Sequence, residues 1–167
     1  MTAPLFYGTA SGFTTYLTAR GVDVSAFTDS AVINAKLLVA SEWLDARYRV
    51  LFSGWKVGLR NQVREFPRIG GMDIYGYTIA SDSNPTEIEN ATYEATLREL
   101  NSPGSLSLDF SKPKYLEAAV DGAIRVKFNN FDQVTDIQIQ IQKINEILAP
   151  ILTGGLNSPL SGASVRA

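Results

Sequence analysis

Six cationic side chains, Arg47, Arg49, Lys56, Arg60, Arg64 and Arg68, fall in one segment whose only nearby acid after Asp45 is Glu65. Such a cluster can neutralise phosphates and so grip nucleic acid with a steep salt dependence. It can equally face the acidic rim of a partner protein, where complementary charge steers and registers an assembly. No run of surface aromatics for base stacking is legible beside it. The net charge of −2 also lacks the basic excess that dedicated nucleic-acid binders carry. Partner contact is therefore the favoured of two readings that both stay open. At the end of the cluster stands Phe66-Pro67-Arg68. Pro67 fixes its own φ and biases Phe66 toward an extended backbone. The motif either presents an aromatic plug beside an arginine fork or buries Phe66 in the core while Arg68 bonds nearby carbonyl oxygens, and the second is preferred.

Other candidate chemistry is thin. The chain contains neither histidine nor cysteine, so the usual general base, the thiol nucleophile, the thiolate metal site and the disulfide are all missing. Gly70-Gly71 lacks the strand, helix and spacing of a phosphate loop, Ser53-Gly54 has no partner base, and Asp73-Ile74-Tyr75-Gly76 and Asp121-Gly122 read as turns. Glu87 and Glu89 sit at a helix start, where the helix dipole favours them without catalysis. No catalytic residue, metal site or cofactor is expected, and the protein is not expected to be an enzyme.

The elements that must position these residues are mainly helical. The 167 residues suit one domain, read as residues 1–152 followed by a tail, 153–167. Phe13, Tyr16 and Leu17 predict a helix over 11–20 capped by Ser11. Ile33, Leu37, Ala40, Leu44 and Tyr48 predict a second over 30–48, capped by Asp29 or Ser30. Pro85 opens a third, over 86–100. Val134, Ile137, Ile141, Ile144, Leu148 and Ile151 form a heptad-like seam over 132–152, read as a bundle-core helix in preference to a seam shared between subunits. Strict alternation predicts strands over 105–111 and 123–128, with a connection too long for a tight hairpin. The glycine-dense stretch from Val50 to Asn84 reads as ordered loop or short strands. Trp43, Tyr48 and Phe52 are expected in the core. The fold class is a small helical bundle with a strand pair and an extended C-terminal tail. No run of about 18 apolar residues suggests a membrane span, and the N-terminus lacks the pattern of a secretory signal. A cytoplasmic protein, or one in a particle assembled there, is expected.

The ordered series Leu44, Asp45, Tyr48, Gly54, Gln62, Phe66, Pro67, Arg68 and Pro85 resembles a family of phage proteins often labelled DnaT-like single-stranded-DNA-binding proteins. Its members sit among head-completion genes. Phe66 stands where the family commonly has Trp, and Glu146-Ile147-Leu148-Ala149-Pro150-Ile151-Leu152 resembles the family's Leu-Leu-x-Pro-Leu-Leu close. The resemblance implies a virion protein assembled in the host cytoplasm, a head-tail adaptor. As such it would ring with copies of itself, as a dodecamer, under a portal protein, pass double-stranded DNA and meet a further head-completion or tail protein. Leu156, Pro159, Leu160, Val165 and Arg166 in the tail are then candidate contacts to portal or neighbouring subunit. Single-stranded-DNA binding in phage replication or packaging is the alternative.

Overall fold

A computed structural model of the chain describes residues 5–106, 117–120, 124–127 and 142–153. Among these the protein is mainly helical, with four α-helices and two small antiparallel strand pairs. Its contacts divide into two compact units, residues 1–106 with 141–167 and residues 107–140.

In the larger unit, α1 spans Ala10–Thr18. The hydroxyl of Thr9, not of Ser11, caps it by accepting from the Gly12 N–H at 3.0 Å. Helix α2, Ser30–Tyr48, is capped by Asp29, whose carboxylate accepts from the Ala31 and Val32 N–H groups. Helix α3, Thr86–Asn101, begins just after Pro85 and carries Glu87 and Glu89 in its first turn. Its far end is held by Glu99, whose carboxylate accepts from the Gly104 and Leu106 N–H groups and faces Lys36 at 3.3 Å. Burial pushes the Glu99 carboxyl up, but those donors outweigh it and leave the group below its ordinary range. Helix α4, Gln142–Leu148, runs into a 3-10 turn, Ala149–Ile151.

Two apolar clusters hold these helices. One joins Ala40, Leu44 and Tyr48 of α2, Ile88, Ala91 and Ala95 of α3, and Ile144 and Leu148 of α4 with Phe52 and Phe66. The other gathers Phe13, Tyr16 and Leu17 under Ile33, Leu37 and Tyr93. The period of three to four residues in the sequence is thus the buried face of each helix. Ile144, Leu148 and Ile151 are core residues, whereas Val134, Ile137 and Ile141 lie outside the described residues. The Tyr48 hydroxyl donates to Asn145 and ties α2 to α4.

The glycine-dense segment is ordered by its own small sheet. Strand β1, Trp55–Lys56, pairs with β2, Arg68–Ile69, which sequence periodicity does not reveal because two-residue strands have no period to read. Phe52 and Phe66 meet edge to face, ring centroids 4.9 Å apart, and plug the segment into the core. The C-terminal turn fixes it from the other side: the Ile74 N–H donates to Pro150 O, and Thr153 donates to Leu51 O through both N–H and hydroxyl.

In the smaller unit β3, Glu117–Val120, pairs with β4, Ile124–Lys127, in register Glu117 to Lys127. Ser105 and Leu106, expected to open a first strand over 105–111, lie in the turn after α3. Strand β3 begins inside the stretch expected to be a long connection, and only residues 121–123 separate it from β4. Leu106 is buried, and its N–H donates to the Glu99 carboxylate. Residues 107–111 and the tail positions Leu156, Pro159, Leu160, Val165 and Arg166 lie outside the described residues.

Candidate nucleic-acid interface

Folding divides the cationic cluster. Arg64 is buried, with Nη1 3.3 Å from Asp45 and Nη2 3.4 Å from Glu42. Arg68 is buried and its fork donates to Ser53 O at 2.8 Å, Gly54 O at 2.5 Å and Phe52 O at 3.4 Å while pairing with Glu65 at 2.7 Å. Of the two readings of Phe-Pro-Arg, the core aromatic with a carbonyl-bonding arginine is the arrangement seen. The Lys56 ammonium donates to Gln62 O at 2.8 Å and faces Glu65 at 3.7 Å. Arg47 lies over the rings of Trp43 and Tyr48 at 5.8 and 5.7 Å. Only Arg49 and Arg60 of the six are exposed, and Arg49 donates Nε to Asp45 O.

The inward cations belong to a polar knot under the segment. The Tyr7 hydroxyl donates to Asp45 Oδ1 at 2.6 Å and accepts from the Glu65 and Phe66 N–H groups, at 2.9 and 3.1 Å. It therefore holds the segment onto α2. Burial pushes the Asp45 carboxyl up to about 6, against the pull of the Tyr7 hydroxyl and the Arg64 guanidinium. Burial likewise raises Tyr7 far above the ordinary phenol range, with the Asp45 charge adding to it. Gln62 completes the knot: Oε1 accepts from the Gly58 N–H, and Nε2 donates to Arg64 O and Pro67 O.

What faces outward is apolar and aromatic. Apart from Leu5, Val22 and Val32, every large hydrophobic side chain exposed among the described residues lies between 50 and 77. Strand pairing explains the sorting, since side chains opposite each other share a face. Lys56 and Arg68 form the inward pair, and Trp55 and Ile69 the outward one, 63% and 43% exposed. Val57 donates its N–H to Pro67 O and extends the outward row. Leu59 follows in a left-handed conformation, φ 51°, with its side chain 68% exposed, and Arg60 is its neighbour in the 3-10 turn Leu59–Asn61. Beyond Gly70 and Gly71, the Asp73 carboxylate accepts from the Tyr75 and Tyr77 N–H groups. That turn leaves both phenol rings in solvent, 76% and 73% exposed.

The absence of surface aromatics expected from sequence is thereby corrected: Trp55, Tyr75 and Tyr77 are such residues. Their signal was present as aromatics in a glycine-rich stretch without core periodicity. Trp43, Tyr48 and Phe52 are core or core-packed. Among the described residues no group of three or more carboxylates converges as a metal site, and no helix is long and apolar enough to cross a membrane.

Residues 7–167 match the model of a family described as "Putative DnaT-like ssDNA binding protein". The chain belongs to this DnaT-like family. No curated protein and no solved structure matches it. The match corrects the reading of a virion head-tail connector in a portal-bound ring, because the family is described by single-stranded-DNA binding and by nothing structural in a virion.

In this DnaT-like chain the residues that carried the resemblance face inward. Leu44, Tyr48 and Phe66 are core, and Asp45, Gln62 and Arg68 are buried polar ties. Pro67 O is the acceptor for Val57 and Gln62, and Pro85 precedes α3. Gly54 holds φ 67°, where a Cβ would overlap the Ile69 carbonyl oxygen. These positions hold the segment in shape, while Trp55, Arg60, Tyr75 and Tyr77, all between Gly54 and Pro85, make its surface.

Proposed function

We propose that the protein binds single-stranded DNA on the outward side of the segment from Arg49 to Ile79. The observation that carries this reading is the pinned, solvent-facing set Trp55, Tyr75 and Tyr77 with Arg60 in the same segment. Aromatic faces stack on bases of any sequence, and a nearby guanidinium supplies phosphate attraction. The description of the family supports it. So does the anchoring of the segment by Phe52, Phe66 and Arg68, which lowers the ordering cost on binding.

Fluorescence anisotropy with a labelled oligonucleotide of about 30 nucleotides, longer than common site sizes, tests the reading. The wild-type chain should bind, and Trp55→Ala should weaken binding about 5- to 150-fold, the loss of one stacked base at ~1–3 kcal/mol. Absence of binding at low salt would refute the proposal.

A further inference from the structure

The split between inward and outward cations bears on which part of a strand is recognised. Resting on the single-strand reading above, we infer that the outward face of the β1–β2 pair recognises unstacked bases and takes little of its affinity from phosphates. Its preferred ligand is then a pyrimidine-rich single strand. Three observations carry this. Five of the six clustered cations have protein partners: for Arg64 they are Asp45 and Glu42, for Arg68 three carbonyls and Glu65, for Lys56 Gln62 O and Glu65, for Arg47 two aromatic rings, and for Arg49, still exposed, Asp45 O. The outward pair Trp55 and Ile69 carries no charge and a single polar group, the indole N–H. Leu59 keeps a left-handed backbone, rare for a side chain of its kind, while showing that side chain to solvent. Such strain persists where the surrounding structure imposes it and clusters at working surfaces.

Physical consequences separate this from a charge-driven grip. Of the six clustered cations only Arg49 and Arg60 are exposed, so this face neutralises about two phosphates and log K should fall with log salt at a slope of roughly −1.4, against about −4 for six contacts. A tenfold rise in salt would then cost about 25-fold in affinity, and not about 10,000-fold. A base must leave its neighbours to stack on Trp55. Thymine tracts give up little stacking for this and adenine tracts much, so sequence preference follows stacking strength.

The experiment uses the full chain and labelled dT30, dA30 and a duplex of the same length, from about 50 to about 500 mM salt. Expected are several-fold tighter binding to dT30 than to dA30, the shallow slope, and weakest binding to duplex. Trp55→Ala should abolish the dT30 preference and Trp55→Phe should restore most of it, while Arg60→Gln should reduce the slope by about 0.7 and leave the preference intact. Binding to single strands with a slope near −4, or with dA30 equal to dT30, overturns this inference while leaving single-strand binding standing. No binding to either strand overturns both proposals. Self-association that Trp55→Ala removes, without oligonucleotide binding, assigns the face to a second copy and also overturns them.

Discussion

Replacing Arg68 by lysine keeps the charge and removes the fork. In the native protein one buried guanidinium supplies donors to the carbonyls of Phe52, Ser53 and Gly54 and pairs with Glu65 at 2.7 Å. It thus holds the strand entering β1 against β2. An ammonium at the same depth can reach Glu65 and one carbonyl, leaving two buried or part-buried acceptors without their charged donor. Hydrogen bonds to charged groups contribute about 1.5–3 kcal/mol each, and the 3.4 Å bond to Phe52 is the weakest of the set. The expected loss is therefore about 3–4 kcal/mol, a large part of the roughly 5–15 kcal/mol that holds a domain of this size. Urea unfolding followed by tryptophan fluorescence should show the midpoint lowered by about 1.5–2 M, taking a slope of about 2 kcal/mol per M. Arg68→Met, which also leaves Glu65 without its nearest cation, should be worse than Arg68→Lys. If Arg68→Lys unfolds within about 1 kcal/mol of the wild type, the carbonyl clamp is not what holds the segment, and the platform is not pinned by Arg68.

Gly54→Ala should destabilise by more than about 2 kcal/mol in the same assay, since it combines a positive φ with overlap on a backbone oxygen. Gly12→Ala should cost about 1–3 kcal/mol because its methyl meets the Tyr93 hydroxyl, displacing a ring that packs on Phe13 and Tyr16 and accepts from the Thr9 N–H. Asp45, at about 6 in the folded protein against 3.8 ordinarily, binds its proton more tightly when folded. Its contribution to stability is therefore fully present at acid pH and lost as pH rises through about 6. Between pH 5 and pH 7.5 the wild type should lose about 1 kcal/mol relative to Asp45→Asn, measured by urea midpoints at the two pH values. No change in that difference would mean that Arg64 compensates the buried carboxylate fully. Glu99 has the opposite sign: its lowered pKa means that Glu99→Gln should matter at neutral pH and cease to matter as the solution is acidified below the ordinary carboxylate range.

Much of the scaffold is written locally in the chain. The helix α2 and its Asp29 cap, α3 after Pro85, and the burial of Leu44, Tyr48, Phe52 and Phe66 follow from spacing and cap chemistry, which act within a few residues and are read within a few residues. The missing histidines and cysteines are likewise a property of composition alone. The site was decided elsewhere. Arg47, Arg49, Lys56, Arg60, Arg64 and Arg68 are near neighbours in sequence and look like one patch. Which of them meets solvent depends on Asp45 and Glu42 of α2, on Glu65, and on the carbonyls of residues 52–54, groups that only the folded chain brings to each guanidinium. The same holds for Trp55. A tryptophan in a glycine-rich stretch can be core or surface, and its side is fixed by pairing with Ile69 while Lys56 and Arg68 take the inner face. Local propensity sets where the chain turns and coils, but a strand of two residues has no face until its partner arrives, and a charge has no role until its counter-charge does.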